Sequence, residues 1–120
     1  MVLIEQLIYE YLNECKDAGE ISVPAFLMRP ENEPTEYLLI EKTGSTESNR
    51  ITSATIAIQS YGSTLYRAST INSELKACMR DLVSNNAISR CVCSTDYNFT
   101  NTATKHPRYQ AVYEITYYDE

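Results

Sequence analysis

The hydrophobic positions of this chain repeat with a helical period in two segments. From residue 2 to residue 15, apolar side chains recur every three or four residues and so share one helical face; they are Ile4, Leu7, Ile8, Tyr11, Leu12 and Cys15. A second stripe, to about Val83, comprises Leu65, Ala68, Ile71, Leu75, Cys78, Met79 and Leu82. Two amphipathic helices are therefore predicted. Gly19 can end the first in a left-handed conformation, and Ser63 or Thr64 can cap the second.

Five other segments have strand patterns: Val23 to Met28, Glu36 to Lys42, Ile51 to Tyr61, Ile88 to Tyr97 and Tyr109 to Tyr117. Pro24 indicates that the first is an edge strand, because proline cannot donate to a sheet ladder. The third is rich in β-branched residues, and the fifth alternates apolar and polar positions most regularly. In the fourth, one face is expected to carry Cys91, Cys93, Thr95 and Tyr97.

The order of elements predicts an α+β fold, α-β-β-β-α-β-β, with a mostly antiparallel sheet and two helices packed on it. The length of 120 residues and the 43% hydrophobic content suit one domain that spans residues 1–120. Two polar segments interrupt these elements: Thr43 to Asn49 is expected to be a flexible loop or a hairpin tip, and Asn98 to Pro107 a polar loop. The first is the best candidate for disorder, because its side chains are small, polar and without periodicity.

Charge and hydropathy limit the partners. The formal net charge of -6 disfavours capture of a phosphate backbone, so direct sequence-specific binding to nucleic acid is not expected. Apolar runs such as Ala25 to Met28 are far shorter than the ~20 residues that cross a bilayer. Glu5, Glu10 and Glu14 interrupt the N-terminus, so no secretory signal is predicted and the protein is expected in the cytoplasm of the cell that makes it.

Residues capable of catalysis are few. Cys15, Cys78, Cys91 and Cys93 are interpreted as reduced thiols at core positions, and the single histidine, His106, as a surface residue in a polar loop. Gly19, Gly44 and Gly62 are too dispersed to form a phosphate-binding loop. We therefore expect no enzyme activity, no cofactor and no metal site. The ten tyrosines are either core residues of the last strand or interface residues, with Tyr61, Tyr66, Tyr97 and Tyr118 as the interface candidates.

Three stretches resemble the tail terminator or minor tail proteins of long-tailed bacteriophages and prophages of Gram-positive bacteria. They are Glu36 to Gly44, Ile51 to Tyr66 and Ser94 to Tyr113, and the likeness extends to the N-terminal helix around Ile8 to Leu12. The resemblance implies a virion structural protein that forms a homohexameric ring, caps the head-proximal end of the tail tube and helps to join tail to head. Its partners would be further copies of itself, the tail tube protein and a head-tail connector protein, first in the host cytoplasm and then in the virion tail.

A ring requires an interface between two different patches of neighbouring copies. Polar loops are natural places for such contacts, and they are expected to become ordered on assembly. The candidate interface residues are Thr43, Ser45, Glu47, Asn49, Asn98, Asn101, Lys105, His106 and Arg108. Three alternatives remain: a head-completion or connector protein of the neck, a small thiol-dependent enzyme or ligand-binding domain that uses Cys91 or Cys93, and a monomeric regulatory protein that binds one host partner.

Overall fold

A computed structural model describes residues 3–32, 34–48, 51–84, 87–100, 102–103 and 105–118. Its elements are α1 (Ile4–Asp17), β1 (Ala25–Phe26), β2 (Tyr37–Ser48), β3 (Ile51–Tyr61), α2 (Leu65–Arg80), β4 (Ile88–Asn98) and β5 (Arg108–Tyr118), with a short 3-10 helix, Leu82–Ser84, after α2. The predicted α+β fold and the order α-β-β-β-α-β-β are confirmed.

The strands form one five-stranded sheet in the order β1-β2-β3-β5-β4. The pairs β2–β3, β3–β5 and β5–β4 are antiparallel. β1 is parallel to β2 and pairs only Ala25 with Leu38 and Phe26 with Leu39. The predicted edge strand therefore lies at an edge of the sheet, but it is much shorter than Val23 to Met28.

The main core lies between the helices and one face of the sheet. Ile8 and Leu12 of α1 and Ile71 and Leu75 of α2 are fully buried in it. The sheet contributes alternate residues of its central strands, which are Ala54, Ile56 and Ile58 of β3 and Ala111, Tyr113, Ile115 and Tyr117 of β5. Burial of one large apolar side chain stabilises the fold by roughly 1.5–3 kcal/mol, so these stripes hold the helices on the sheet.

The end of α1 is a Schellman motif. Gly19 has a φ of 82°, its N–H donates to the carbonyl of Lys16 at 3.0 Å, and the N–H of Glu20 donates to the carbonyl of Cys15 at 2.9 Å. These two bonds satisfy carbonyls that the helix leaves unpaired, and the left-handed residue turns the chain back over the last helical turn. The predicted role of Gly19 is confirmed, and Glu20 lies next to Cys15.

The segment from Thr43 to Ser48 is not a flexible loop; it is the end of β2 in the β2–β3 hairpin, which lies closer to the predicted alternative of a hairpin tip. β2 continues through Ser48 and pairs with β3 as far as Ile51; Asn49 lies outside the described residues. A β-bulge between Lys42 and Gly44 shifts the register, and the hydroxyl of Thr43 donates to the carbonyl of Thr55 at 3.2 Å. The prediction of a flexible loop was wrong because the polar side chains need no burial, whereas the backbone gains ladder hydrogen bonds with β3.

The predicted common face of β4 is also wrong. Cys91 and Cys93 pair with Ile115 and Tyr113, whereas Thr95 and Tyr97 pair with Val112 and Gln110, after a register shift between Cys93 and Thr95. Because one extra residue exchanges the two faces of a strand, Thr95 and Tyr97 lie on the face opposite the helices. Asp96 instead lies on the face that carries the helices. Its carboxylate accepts hydrogen bonds from Asn72 Nδ2 at 2.9 Å and from Lys76 Nζ at 3.2 Å.

Among the described residues, no helix combines the length and apolar character needed to cross a membrane.

Candidate functional site

The predicted interface residues lie at the two ends of the sheet. Thr43, Ser45 and Glu47 are exposed on the outer half of β2, beside the start of β3. Asn98, Lys105, His106 and Arg108 lie at or between the end of β4 and the start of β5, whose Arg108 pairs with Tyr61 at the far end of β3. Thr43 to Glu47 lie beside Thr55 to Thr52 of β3, whereas Arg108 pairs with Tyr61. Since a strand rises about 3.3 Å per residue, the two groups lie roughly 20–30 Å apart. Asn101 lies outside the described residues.

The end of the sheet near Arg108 is ordered by hydrogen bonds. Asn98 Oδ1 accepts from the N–H and the hydroxyl of Thr100 at 3.0 and 2.7 Å, and Thr100 Oγ1 accepts from the N–H of Arg108 at 3.2 Å. The N–H of Phe99 donates to the carbonyl of Arg108 at 2.9 Å. Asn98 and Arg108, the two ends of the segment that was expected to become ordered on assembly, therefore belong to the strands β4 and β5.

Arg108 is a half-buried cation with neutral hydrogen-bond partners. Its Nη1 donates to Tyr61 Oη at 2.7 Å and to Gln59 Oε1 at 3.2 Å, and its Nε donates to the carbonyl of Phe99 at 2.6 Å. The guanidinium carbon lies 4.5 Å from the centroid of the Phe99 ring and 5.6 Å from that of Tyr61. Cation–π contacts and hydrogen bonds hold the group in place, but the described residues provide no carboxylate within ion-pair distance of it.

A second guanidinium approaches the same hydroxyl. Arg29 Nη2 donates to Tyr61 Oη at 3.1 Å, and the Tyr61 hydroxyl donates in turn to Gln59 Oε1 at 2.9 Å. Arg29 and Arg108 both line a recess of about 440 Å³ on the sheet face opposite the helices, together with Leu27, Met28, Leu39, Glu41, Gln59, Tyr61 and Phe99. Two arginines, aromatic rings and a methionine in one recess are the side chains that are enriched at protein interfaces.

His106 contributes to the packing beneath this recess. Its Nε2 lies 3.0 Å from the carbonyl oxygen of Thr35, and its ring centroid lies 4.9 Å from that of Tyr61. Tyr61 in turn stacks on Tyr37, with centroids 4.5 Å apart. The predicted surface histidine is therefore half-buried against aromatic rings. Tyr61 is buried and is not an exposed interface tyrosine, whereas Tyr66, Tyr97 and Tyr118 are exposed.

Both outer edges of the sheet are open in the described part of the chain. β1 covers β2 only at Leu38 and Leu39, so the rest of β2, to Ser48, has no strand on its outer side. β4 has β5 on one side and no described strand on the other. Such edges present backbone N–H and C=O groups to any strand that approaches.

The four thiols are free and differ in burial. Cys15 and Cys78 are buried as expected, Cys91 is half-buried, and Cys93 is exposed, which corrects its predicted core position. Cys93 is exposed because β4 is an edge strand whose helix-facing side is only partly covered. Burial raises the pKa of Cys91 to about 11, so this thiol is protonated at neutral pH.

One group of side chains in the described residues has the composition of a metal site. The Sγ atoms of Cys15 and Cys78 and a carboxylate oxygen of Glu20 lie within 4.8 Å of one another. Sequence reasoning assigned both cysteines to helical stripes and did not connect them. The signal available in the sequence was the pairing of Cys15 with a glycine-terminated helix end, which brings Glu20 beside it.

Neither the protein-family models nor the curated proteins compared with this chain give a match. The resemblance to phage tail terminators therefore stays an expectation from the sequence.

Proposed function

We propose that this protein is a tail terminator of a long-tailed bacteriophage or prophage, a ring-forming subunit that caps the head-proximal end of the tail tube. The observation that supports self-assembly is the pair of open sheet edges, the outer half of β2 on one side and β4 on the other. An interface between two different edges is head-to-tail, and such an interface closes into a ring when the rotation between copies allows it.

The strand directions suit this assembly. From β2 to β4 the four long strands alternate in direction, so β4 runs opposite to β2. When β4 of one copy meets β2 of the next, the new pair is antiparallel and the alternation continues around the ring. Both edges also carry a β-bulge. The pairing is therefore expected over short stretches of each edge, because a bulge interrupts a ladder.

A second surface suits contact with a different protein of the tail. Met28 is 77% exposed beside the recess that contains Arg29 and Arg108. An exposed methionine next to the Arg108 guanidinium, which has no carboxylate within ion-pair distance among the described residues, offers apolar area and charge-assisted hydrogen bonds to a partner with acidic side chains. We assign this recess to the tail tube or the connector, since it lies on a face of the sheet and, of the open part of β2, includes only Glu41.

The first experiment measures assembly. Light scattering coupled to size exclusion is run on the protein alone and then with purified tail tubes that lack a terminator. A hexamer, or a monomer that forms a ring at tube ends seen by electron microscopy, supports the proposal. A monomer that ignores the tubes overturns it, and binding to the portal side instead of the tube supports the connector function.

The second experiment tests the edges by disulfide trapping. Cys93 faces the helix side of β4, and Lys42, Ser45 and Glu47 face the same side of β2. Side chains directly opposite on paired strands have Cβ atoms about 4.5–5.5 Å apart. One of K42C, S45C and E47C should therefore form covalent multimers through Cys93 under mild oxidation.

The matched control is T46C, which presents its thiol on the opposite face of β2. Multimers should also disappear in a Cys93→Ser background. Equal trapping by T46C and S45C, or no trapping at any of the three positions in an assembled ring, overturns the edge-to-edge arrangement.

A further inference from the structure

The cluster of Cys15, Glu20 and Cys78 joins the two helices at one end of the core. Cys15 belongs to the last turn of α1, and Cys78 belongs to the last turn of α2. The Schellman motif positions Glu20, because the N–H of Glu20 donates to the carbonyl oxygen of Cys15 at 2.9 Å. The helix end thus places Glu20 beside Cys15, and helix packing adds Cys78 from a distant part of the sequence.

The distances suit a tetrahedral ion with sulfur and oxygen ligands. Cys78 Sγ lies 3.6 Å from Glu20 Oε2. Zinc–ligand bonds of ~2.3 Å to sulfur and ~2.0 Å to oxygen separate a sulfur and an oxygen ligand by about 3.5 Å, and two sulfurs by about 3.8 Å. The remaining separations are all within 4.8 Å, so they exceed these values by no more than about 1.3 Å.

The donor set selects the class of metal. Two thiolates and one carboxylate favour a borderline ion such as Zn²⁺ over Mg²⁺ or Ca²⁺, which take oxygen ligands. The thiols are buried, whereas Glu20 is exposed, so an ion can enter from the solvent side. Three protein ligands leave the fourth tetrahedral position to a water molecule.

We propose that Cys15, Glu20 and Cys78 bind one zinc ion that fastens the end of α1 to the end of α2. Both thiols lose a proton to the solvent on binding, and the two thiolates and the carboxylate displace the waters of the hydrated ion except the one that keeps the fourth tetrahedral position. Burial raises the pKa of Cys78 to about 12 and raises that of Cys15. Zinc must therefore displace both protons, and its affinity should increase with pH. This site is independent of the proposed assembly function.

The test uses the full chain, reduced and freed of metal by a chelator. Titration with Co²⁺ should produce a thiolate-to-cobalt charge-transfer band that saturates at one ion per chain and is abolished by Zn²⁺. Cys15→Ser and Cys78→Ser should abolish the band, and Glu20→Gln should weaken Co²⁺ binding at least tenfold. Cys93→Ser is the matched control, because this exposed thiol lies outside the cluster, and it should leave the titration unchanged.

A serine at a buried cysteine position can unfold the protein, so Glu20→Gln provides an independent test. The Glu20 side chain is exposed, and the circular dichroism spectrum of the metal-free variant should match that of the wild type. Absence of the band at equimolar Co²⁺ in the wild type overturns the proposal, since the thiols are then only packed core groups. A band that survives Cys78→Ser but disappears in a Cys91→Ser, Cys93→Ser double variant also overturns it, because the metal then binds on β4.

Discussion

Gly62 shows how one residue without a side chain permits the join between β3 and α2. A Cβ at this position would lie 2.3 Å from the backbone nitrogen of Ala68 and 2.8 Å from its Cα. Both atoms belong to the first turns of α2, which cannot move without shifting the helix on the sheet. The Gly62 N–H also donates to the carbonyl of Pro107 at 3.0 Å, which ties the join to the start of β5.

We predict that Gly62→Ala lowers the free energy of unfolding by about 1–3 kcal/mol, because the added methyl group overlaps helix backbone. Urea denaturation monitored by circular dichroism measures the change. Gly44→Ala is the matched control, since a Cβ at Gly44 meets nothing within 4 Å. Equal midpoints for the two variants would show that α2 yields to the extra methyl without cost.

A second residue-scale prediction concerns Glu36, just before β2. Arg67 donates to its carboxylate through Nε and Nη2, each at 3.1 Å, and the N–H of Ser63 donates at 3.1 Å. The hydrogen bonds from Arg67, followed by that from the Ser63 backbone, lower the pKa of Glu36 from 4.5 to about 2. A carboxyl group whose pKa is lowered by folding stabilises the fold at pH values above its pKa in the unfolded chain. This contribution is lost as the pH falls from about 5 towards 2.

Glu36→Gln should therefore be less stable than the wild type at pH 7, and the difference should vanish near pH 2. Thermal unfolding across this pH range gives the comparison. Glu47→Gln is the control, because Glu47 is exposed on β2 and the described residues give it no ion-pair partner. A difference in stability between Glu36→Gln and the wild type that does not change with pH would contradict the lowered pKa of Glu36.

At the scale of elements, the bulge in β4 decides which side chains meet α2. The register shift between Cys93 and Thr95 turns Asp96 towards the helix. Its carboxylate accepts from Asn72, which is only 3% exposed, and from Lys76 one turn later. The edge strand is thus fastened to α2 by polar contacts where the apolar core ends.

We predict that Asp96→Ala costs about 1–3 kcal/mol, because the buried amide of Asn72 loses its acceptor. Thr95→Ala, on the opposite face of the same strand, should change stability by less than about 0.5 kcal/mol. Chemical denaturation compares the two variants. A similar effect of both substitutions would mean that the contact between Asp96 and Asn72 contributes little.

At the scale of the whole molecule, the sheet is longer than the core that covers it. The helices cover the middle of one face, while the outer half of β2 stays exposed from Glu41 to Glu47. The other face carries the recess around Arg108. In the described part of the chain, the open sheet edges and the recess around Arg108 are therefore distinct surfaces, and the proposed ring uses the edges.

Limited trypsin digestion tests this view of the free subunit. Lys42 is exposed but lies within the paired strand β2, whereas Lys105 lies in the connection between β4 and β5 with a φ of 57°. Cleavage after Lys105 should precede cleavage after Lys42, because a strand must leave the sheet to enter a protease. Faster cleavage after Lys42 would indicate that the segment that begins at Thr43 is a flexible loop and not part of a strand. In assembled rings, cleavage after Lys42 should become slower still.

The sequence by itself determined the elements whose side chains face a core. The stripe that includes Ile8 and Leu12, the stripe that includes Ile71 and Leu75, and the alternation from Tyr109 to Tyr117 all predicted buried faces correctly. Helical and strand periods appear directly in the order of residues because burial selects apolar side chains at those spacings. The sequence also indicated Gly19 as the helix end and Ser63 or Thr64 as the cap of α2, because both features act on the neighbouring backbone; the structure places the cap at Thr64.

Only the tertiary structure decided the rest, because it depends on partners far away in the sequence. The pairing of Thr43 to Ser48 with β3 and the bulge before Thr95 come from backbone hydrogen bonds, which leave little trace in polar side chains. The recess around Arg108 and the cluster of Cys15, Glu20 and Cys78 join residues from separate elements. A periodic pattern states which way a side chain points, but packing and register determine what it meets.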